Sequence, residues 1–304
     1  MNKLILMVGL PASGKSTIAK ELSTYENAVI HASDELRKEL FGDENANDKN
    51  DILFAELHKR IKNDLLEGKN VIYDATNINY KKRKAFLEEI KKINVFKKCI
   101  LVATPYEDCL IQNSTRERKV PEYVIKRMYK QINIPQWYEG WDDIEIVYNV
   151  KREYNYVNLF ERLDTISQDN PNHTFTIGMH CKSCVAWLCS NCLKDNIKPD
   201  KNLIAAALLH DIGKEFTKEF RNSKGEPTDI AHYYEHHNVS AYLSLFYYDY
   251  MNENDLLEVA NYIQWHMQPF FIESEKAKNK FISLVGQEFY NKLMLLHEAD
   301  KMAK

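Results

Sequence analysis

Residues Gly9–Ser16 read Gly-Leu-Pro-Ala-Ser-Gly-Lys-Ser and match the pattern G-x-x-x-x-G-K-[ST] in full. The setting constrains the fold more than the pattern does. Leu4–Val8, just before it, is fully apolar, as a strand buried on both faces of a parallel sheet requires. Thr17–Leu22, just after it, opens a helix. A tight turn between a strand and a helix N-terminus aims backbone N–H groups at phosphate oxygens. In that setting Gly9, Ala12, Ser13, Gly14, Lys15, Ser16 and Thr17 are expected to bind a nucleoside triphosphate. Lys15 would reach the β- and γ-phosphates, and the Ser16 hydroxyl would meet Mg²⁺.

The rest of the chain gives this loop a sheet. Apolar strand candidates are Leu4–Val8, Ala28–His31, Asn70–Tyr73, Cys99–Ala103 and Ile144–Val147, with helical stretches between them at Asp48–Glu67, Lys81–Lys92 and Pro121–Tyr129. Alternation of this kind predicts an α/β domain, a parallel sheet with helices on both faces. Residues near 151–158 look like the junction. Beyond them Asn202–His210, Val239–Tyr250, Asp255–His266 and Phe289–Ala303 all keep helical spacing, and Asn222–Pro227 reads as a loop. The expected architecture is an α/β domain at 1–152 followed by an all-α domain at 153–304.

A chain of 304 residues with 44% hydrophobic content has room for two such cores. It holds no apolar run of 18 residues for a membrane span, and Met1–Lys3 leaves no room for a signal peptide before the first strand. The six cysteines do not resemble a disulfide framework in a chain this long. A cytoplasmic protein without a membrane partner is expected. Residues 1–150 carry 24 Lys+Arg against 23 Asp+Glu, and 151–304 carry 17 against 21. Neither half has the basic excess of a dedicated nucleic-acid binder, so any such contact must be local.

Asp34 follows the second strand, on the rim where open α/β sheets hold their ligands. There it is either a helix cap or a base that accepts the proton of an attacking hydroxyl. Arg37 lies one helical turn on. Gln112–Pro121 then carries Arg116, Arg118 and Lys119, followed by Lys126, Arg127 and Lys130. Guanidinium forks suit phosphate oxygens, so this run is either a lid over the triphosphate or a solvated basic face.

Together these residues resemble the phage-type polynucleotide 5′-kinase domain over most of residues 1–150. The match includes Gly9–Ser16, Ser33-Asp34-x-x-Arg37, Asp74–Asn79 with Arg83, Asn113-Ser-x-Arg116 through Pro121, and Arg127-Met-Tyr129-Lys. The resemblance implies ATP with Mg²⁺ as cofactor and Asp34 as general base on a 5′-hydroxyl. Arg37 would hold an acceptor phosphate, and Arg116 would stabilise the transferring group. Asp74, Asn77, Arg83 and Arg118 become substrate-binding candidates, with Asp74 alternatively beside the Mg²⁺.

A second constellation lies at Leu208-Leu-His210-Asp211-Ile-Gly-Lys214. An adjacent imidazole and carboxylate at a helix end suits divalent metals that take mixed N/O ligands. Further ligands are available at His180, His236 or His237, His266 and Asp300. Their order resembles the HD phosphohydrolase superfamily across roughly 158–304. By that resemblance His180, His210, Asp211 and Asp300 hold one metal, and His236 and His266 a second bridged by Asp211. The ions would be one or two of Mn, Co, Ni, Fe or Mg. His236 rather than His237 fits the pattern, His237 standing where the family has glutamate. Asp211 and Lys214 are the catalytic candidates here, Lys214 on the phosphate. Gln168–His180 resembles the entry to the HD domain of bacterial CCA-adding tRNA enzymes. That makes His173 a phosphate contact or general acid, or else a capping or surface residue.

Cys181-x-x-Cys184 and Cys189-x-x-Cys192 invite a zinc reading. On one helix, however, the outer pair would lie about 16 Å apart, beyond the reach of a single tetrahedral ion. They are expected to be small buried apolar residues. The two halves together resemble bacterial HD-linked polynucleotide kinases that heal RNA ends, with polynucleotide ends and ATP as partners and a nucleic-acid ligase as a functional link. The weak basic balance leaves open a small-molecule or nucleotide kinase fused to a nucleotide phosphohydrolase. A nucleotide-sensing regulator without turnover is the remaining alternative.

Overall fold

Five short β-branched and leucine-rich runs pair in parallel to make the first sheet. The structure, a computed structural model, describes residues 1–43, 49–150, 154–171, 173–194, 200–247 and 251–303. The chain divides into two units, Met1–Met128 with Pro135–Lys151, and Tyr129–Ile134 with Arg152–Lys304. The expected junction at 152/153 lies outside the described residues, as do Asp48 and the end of the helix expected at Val239–Tyr250.

In the first unit the strands are β1 (Lys3–Val8), β2 (Ala28–Ala32), β3 (Asn70–Asp74), β4 (Phe96–Ala103) and β5 (Asp143–Tyr148), in the order β2-β3-β1-β4-β5. All four pairings are parallel, with Leu4 opposite Val71 and Met7 opposite Ile100. Ile5, Met7, Ala19, Ile72, Ile100 and Val102 form a core cluster with essentially no exposure. Burial of such side chains contributes about 1.5–3 kcal/mol each. The helices that cross between strands are α1 (Lys15–Glu26), α2 (Ser33–Phe41), α3 (Asn50–Leu66), α4 (Tyr80–Glu89) and α5 (Tyr106–Thr115). On α3 the buried positions Leu53, Leu57, Ile61 and Leu65 recur every four residues, one stripe of the helix surface. The order places β1 at the centre, so the loop after it opens at the C-terminal rim.

Arg83 departs from expectation. Instead of meeting substrate, its Nε and Nη2 donate to Glu139 at 2.7 and 2.6 Å, and both side chains are buried. Glu139 sits on a 3-10 turn, Trp137–Glu139, and also accepts from the Trp141 indole at 3.0 Å and the Gln136 N–H at 3.1 Å. The pair fastens α4 to the segment before β5. Removing one partner leaves a buried charge, so Glu139→Ala should lower stability by about 3–5 kcal/mol. A denaturant titration checks this; a loss below about 1 kcal/mol would contradict it.

The second unit is mainly helical: α7 (Tyr156–Leu163), α8 (Ile177–Lys194), α9 (Lys201–Leu209), α10 (Lys214–Thr217), α11 (His236–Ser244), α12 (Glu253–Trp265), α13 (Glu275–Val285) and α14 (Gln287–Met302). One feature breaks the helical expectation. β6 (Glu219–Arg221) and β7 (Pro227–His232) form an antiparallel hairpin whose turn is the Asn222–Pro227 loop. Its side-chain anchor is Asn222, which accepts from the Lys224 and Glu226 N–H groups. α6 (Glu122–Gln131) ends in residues that belong to this unit. Asn238 Nδ2 donates to the Lys130 carbonyl at 3.1 Å, and Ile134 N–H donates to Gln264 at 2.7 Å. Tyr129, matched by resemblance to the kinase domain, packs edge-on against Phe216 and Tyr242.

Candidate functional site

In the first unit the loop between β1 and α1 is shaped by two close approaches. A Cβ on Gly9 would lie 2.9 Å from the Val102 carbonyl, and one on Gly14 would lie 2.5 Å from Asn149 Nδ2. Gly14 is left-handed at φ 92°, which lets the chain turn directly into α1. Gly9 N–H donates to Thr76 O at 3.1 Å, and the Thr104 hydroxyl to Ser13 O at 2.9 Å. Lys15 is buried, and its Nζ donates to the Leu10 carbonyl at 2.6 Å. Burial lowers its pKa below the ordinary lysine value, against the pull of Asp74. Ser16 and Thr17 face solvent at the start of α1. Ala12 also has positive φ, so the whole loop follows the concave path of an anion cradle.

Asp34 occupies the first turn of α2, with its side chain about half exposed. It accepts from Arg37 Nη1 at 2.8 Å and pairs with Arg118. Arg37 is otherwise buried and also reaches Asn50 at 3.1 Å. Arg118 comes from the loop after α5. Asn113 closes that loop by bonding the Val120 peptide reciprocally, at 2.8 Å to its carbonyl and 2.9 Å from its N–H. Arg116, on the same loop, is exposed and lies near enough to Lys15 to disfavour its charge. Asp74 is buried at the end of β3. Asn77 lies beside the cradle, half-buried. Its side chain donates to Met7 O at 2.9 Å, and its carbonyl accepts from Arg83 at 2.8 Å. Asn77 and Arg83 therefore brace the loop beside the cradle, and the burial of Arg83 against Glu139 corrects the substrate-binding expectation for that residue.

In the second unit α8, α9, α11, α12 and α14 bring six side chains to one point. Each imidazole faces a backbone carbonyl through Nδ1: His180 with Ala303 at 2.6 Å, His210 with Ala207 at 2.8 Å, His236 with Tyr233 at 2.8 Å and His266 with Ile263 at 2.6 Å. Donation there orients each ring with its Nε2 directed inward. Nε2 atoms of His180 and His210 lie 3.2 Å apart, and those of His236 and His266 3.1 Å apart. Two ring nitrogens at that distance need a proton or a metal ion between them. Ligand atoms about 2.1 Å from a common ion stand about 3.0–3.4 Å apart, the spacing seen here.

Asp211 joins the two groups. Its Oδ2 is 3.3 Å from both His180 and His210, and its Oδ1 is 3.2 Å from His236 and 3.8 Å from His266. Asp300 Oδ1 is 3.1 Å from His180 and 3.8 Å from His210. Burial alone would raise both carboxylates, but His210 with Lys214 and His180 hold Asp211 well below the usual range; His180 and His210 do the same for Asp300. The donor set fits divalent-metal binding, with Asp211 lying between the two groups of histidines. Gly213 is required where α10 meets α11, because a Cβ would lie 2.6 Å from Ser240 N. Its N–H donates to Ser240 Oγ at 2.8 Å.

Lys214 Nζ is taken by Asp211 Oδ2 at 2.7 Å and by Gln168 at 2.8 Å. His173 lies with its ring 5.6 Å from that of His180, and its buried Nδ1 has no hydrogen-bond partner among the described residues. Burial and then Lys214 lower its pKa to about 4, so it is neutral at pH 7. His237 stays outside the convergence, 3.7 Å from Glu235, and burial lowers its pKa to about 3. Sequence reasoning passed over one group. Cys184 joins His180, His210 and Asp300 with all four ligand atoms within 4.8 Å of one another. The signal was present: Cys184 is four residues after His180 on one helix.

Comparison with known proteins defines the class. Residues 4–135 match the family model described as an AAA domain, and residues 180–304 match the HD domain. The chain thus joins a P-loop kinase-like fold with a parallel five-stranded sheet to a helical HD domain. Among curated proteins it is similar to an L-seryl-tRNA(Sec) kinase from Methanococcus maripaludis, 29% identical over 252 residues, covering 75% of this chain and 93% of that protein. A provisionally assigned kinase from Chloroflexus aurantiacus shares 15% identity over 53% of this chain and 92% of its own, with a TM-score of 0.42. A chain in the Pnkp1/Rnl/Hen1 RNA repair complex shares 22% identity with a TM-score of 0.39, the match covering 43% of each chain. No helix among the described residues is long and apolar enough to cross a membrane.

Proposed function

We propose that the first unit transfers the γ-phosphoryl group of ATP to a polynucleotide 5′-hydroxyl. The second would hydrolyse a 2′,3′-cyclic, 2′- or 3′-phosphate at the opposite end. Together the two steps prepare a broken strand, RNA in the first instance, for a ligase. The observation that carries this reading is the co-occurrence in one chain of a phosphate cradle flanked by Asp34, Arg37 and Arg118 and a convergent His/Asp cluster.

In the transfer step the acceptor oxygen forms a bond to the γ-phosphorus, the β–γ bridging bond breaks, and ADP departs. Asp34 takes the hydroxyl proton. Because Asp34 is now held by Arg37 and Arg118, an incoming strand phosphate would draw the guanidinium groups to itself and release the carboxylate. Arg116 lies on the loop that would follow Arg118 toward the transferring group. Asp34→Asn keeps the shape but removes the base, and should cut transfer by about 10²–10⁴-fold with ATP binding retained. Unchanged turnover would dismiss Asp34 as the base.

In the second unit divalent metals would polarise water and neutralise phosphate charge when bound. The chain's own residues orient the four imidazoles through backbone carbonyls. Lys214 would exchange its contact with Asp211 for a phosphate oxygen, and His173, whose ring lies 5.6 Å from that of His180, would contact the phosphate beside it.

The deciding experiment offers radiolabelled ATP to a 5′-OH oligonucleotide, a mononucleotide and seryl-tRNA in competition. Labelling of the oligonucleotide supports the proposal; labelling of the mononucleotide alone overturns it. Seryl-tRNA is the acceptor of a second reading, favoured by the similarity to a seryl-tRNA kinase across three quarters of this chain. One reading places the acceptor hydroxyl on a polynucleotide end, the other on an aminoacyl group carried by a tRNA.

A further inference from the structure

We infer that Cys184 is a ligand of the first metal in the second unit, adding a thiolate to the donors of His180, His210, Asp300 and Asp211. The inference rests on reading that cluster as a metal centre. Cys184 is buried on α8, and its Sγ lies 3.8 Å from His180 Nε2. An ion with a sulfur at about 2.3 Å and a nitrogen at about 2.1 Å sets those atoms about 3.1–3.8 Å apart over bond angles of about 90–120°. The four-residue offset brings both side chains to one face of the helix, as in paired metal ligands on a single turn. Cys181 lies beside His180 in sequence but falls outside the converging group. The earlier objection to a four-cysteine zinc site does not touch this arrangement, which uses one sulfur and draws the remaining donors from α9 and α14.

The chemical consequence is selectivity. Imidazole and carboxylate donors already hold cobalt or zinc more tightly than manganese, and a thiolate widens that gap in favour of zinc, cobalt or iron. The first position should therefore take a thiolate-accepting transition metal.

The test is cobalt(II) titration of metal-free full-length protein, followed by absorption spectroscopy. The first equivalent should produce a near-ultraviolet sulfur-to-cobalt charge-transfer band. The band should survive in a variant with Cys181, Cys189 and Cys192 all replaced by serine, and disappear in Cys184→Ser while cobalt still binds. Preference for cobalt over manganese should fall at least about tenfold in Cys184→Ser, the scale on which supporting ligands alter affinity. Cobalt bound without the band in the wild type, or a band that persists in Cys184→Ser, overturns the inference alone. No cobalt bound at all overturns it together with the metal reading. Should Cys184→Ser fail to fold, X-ray absorption of the triple-serine variant decides: one sulfur at about 2.3 Å supports the ligand, and none refutes it.

Discussion

Asp211→Asn is expected to eliminate phosphate release by the second unit, by at least about 10²–10³-fold, while leaving phosphoryl transfer by the first intact. The reason lies in the two directions its carboxylate faces. One oxygen serves His180 and His210, the other His236 and His266. An amide keeps the size but offers only one acceptor atom, so the metals would lose their bridge. The same change strips Lys214 of its 2.7 Å partner. Metal content by mass spectrometry should fall in parallel with activity, and acid conditions should mimic the change, because imidazole ligands must be deprotonated to bind. Equal loss of both activities in a folded Asp211→Asn protein would mean one composite site instead of two.

Lys15→Met should do the reverse, removing transfer by about 10²–10³-fold and sparing phosphate release. It also carries an unusual stability prediction. Burial lowers the Lys15 pKa below 10.5, so the charged form is disfavoured in the fold relative to the unfolded chain. That cost is fully present below the folded pKa and fades as the pH rises from there toward the ordinary lysine value. Methionine carries no charge to desolvate. Thermal melting of the variant without nucleotide should therefore match or exceed wild type. A clear drop in melting temperature would mean that the bond to Leu10 O stabilises more than burial costs.

The fold was largely legible because both halves write their periodicity locally. Each of the five apolar runs became a strand, since runs of four to eight apolar residues bounded by turns have few other stable uses. The helices at Asn50–Leu66 and Glu253–Trp265 were legible from one-face spacing. The β6–β7 hairpin was not, because its strands are short and largely exposed and lack an apolar stripe. In the site, His180, His210, Asp211, His236, His266 and Asp300 could be picked out by residue type and order. Arg83 was misread because its partner Glu139 is 56 residues away and nothing local marks the pairing. Cys184 was set aside because the cysteines were weighed against one another and not against His180.

By itself, then, the sequence determined the phosphate cradle, the parallel sheet that carries it and the residue types of a metal centre, because those depend on local pattern and short spacing. Tertiary structure alone decided which charged residues are spent inside the fold, as Arg83 and Glu139 are. It also decided that Arg118 reaches Asp34 and that a thiol joins the histidines. These outcomes depend on distances between segments remote in sequence, where burial and charge pairing choose partners that no local pattern records.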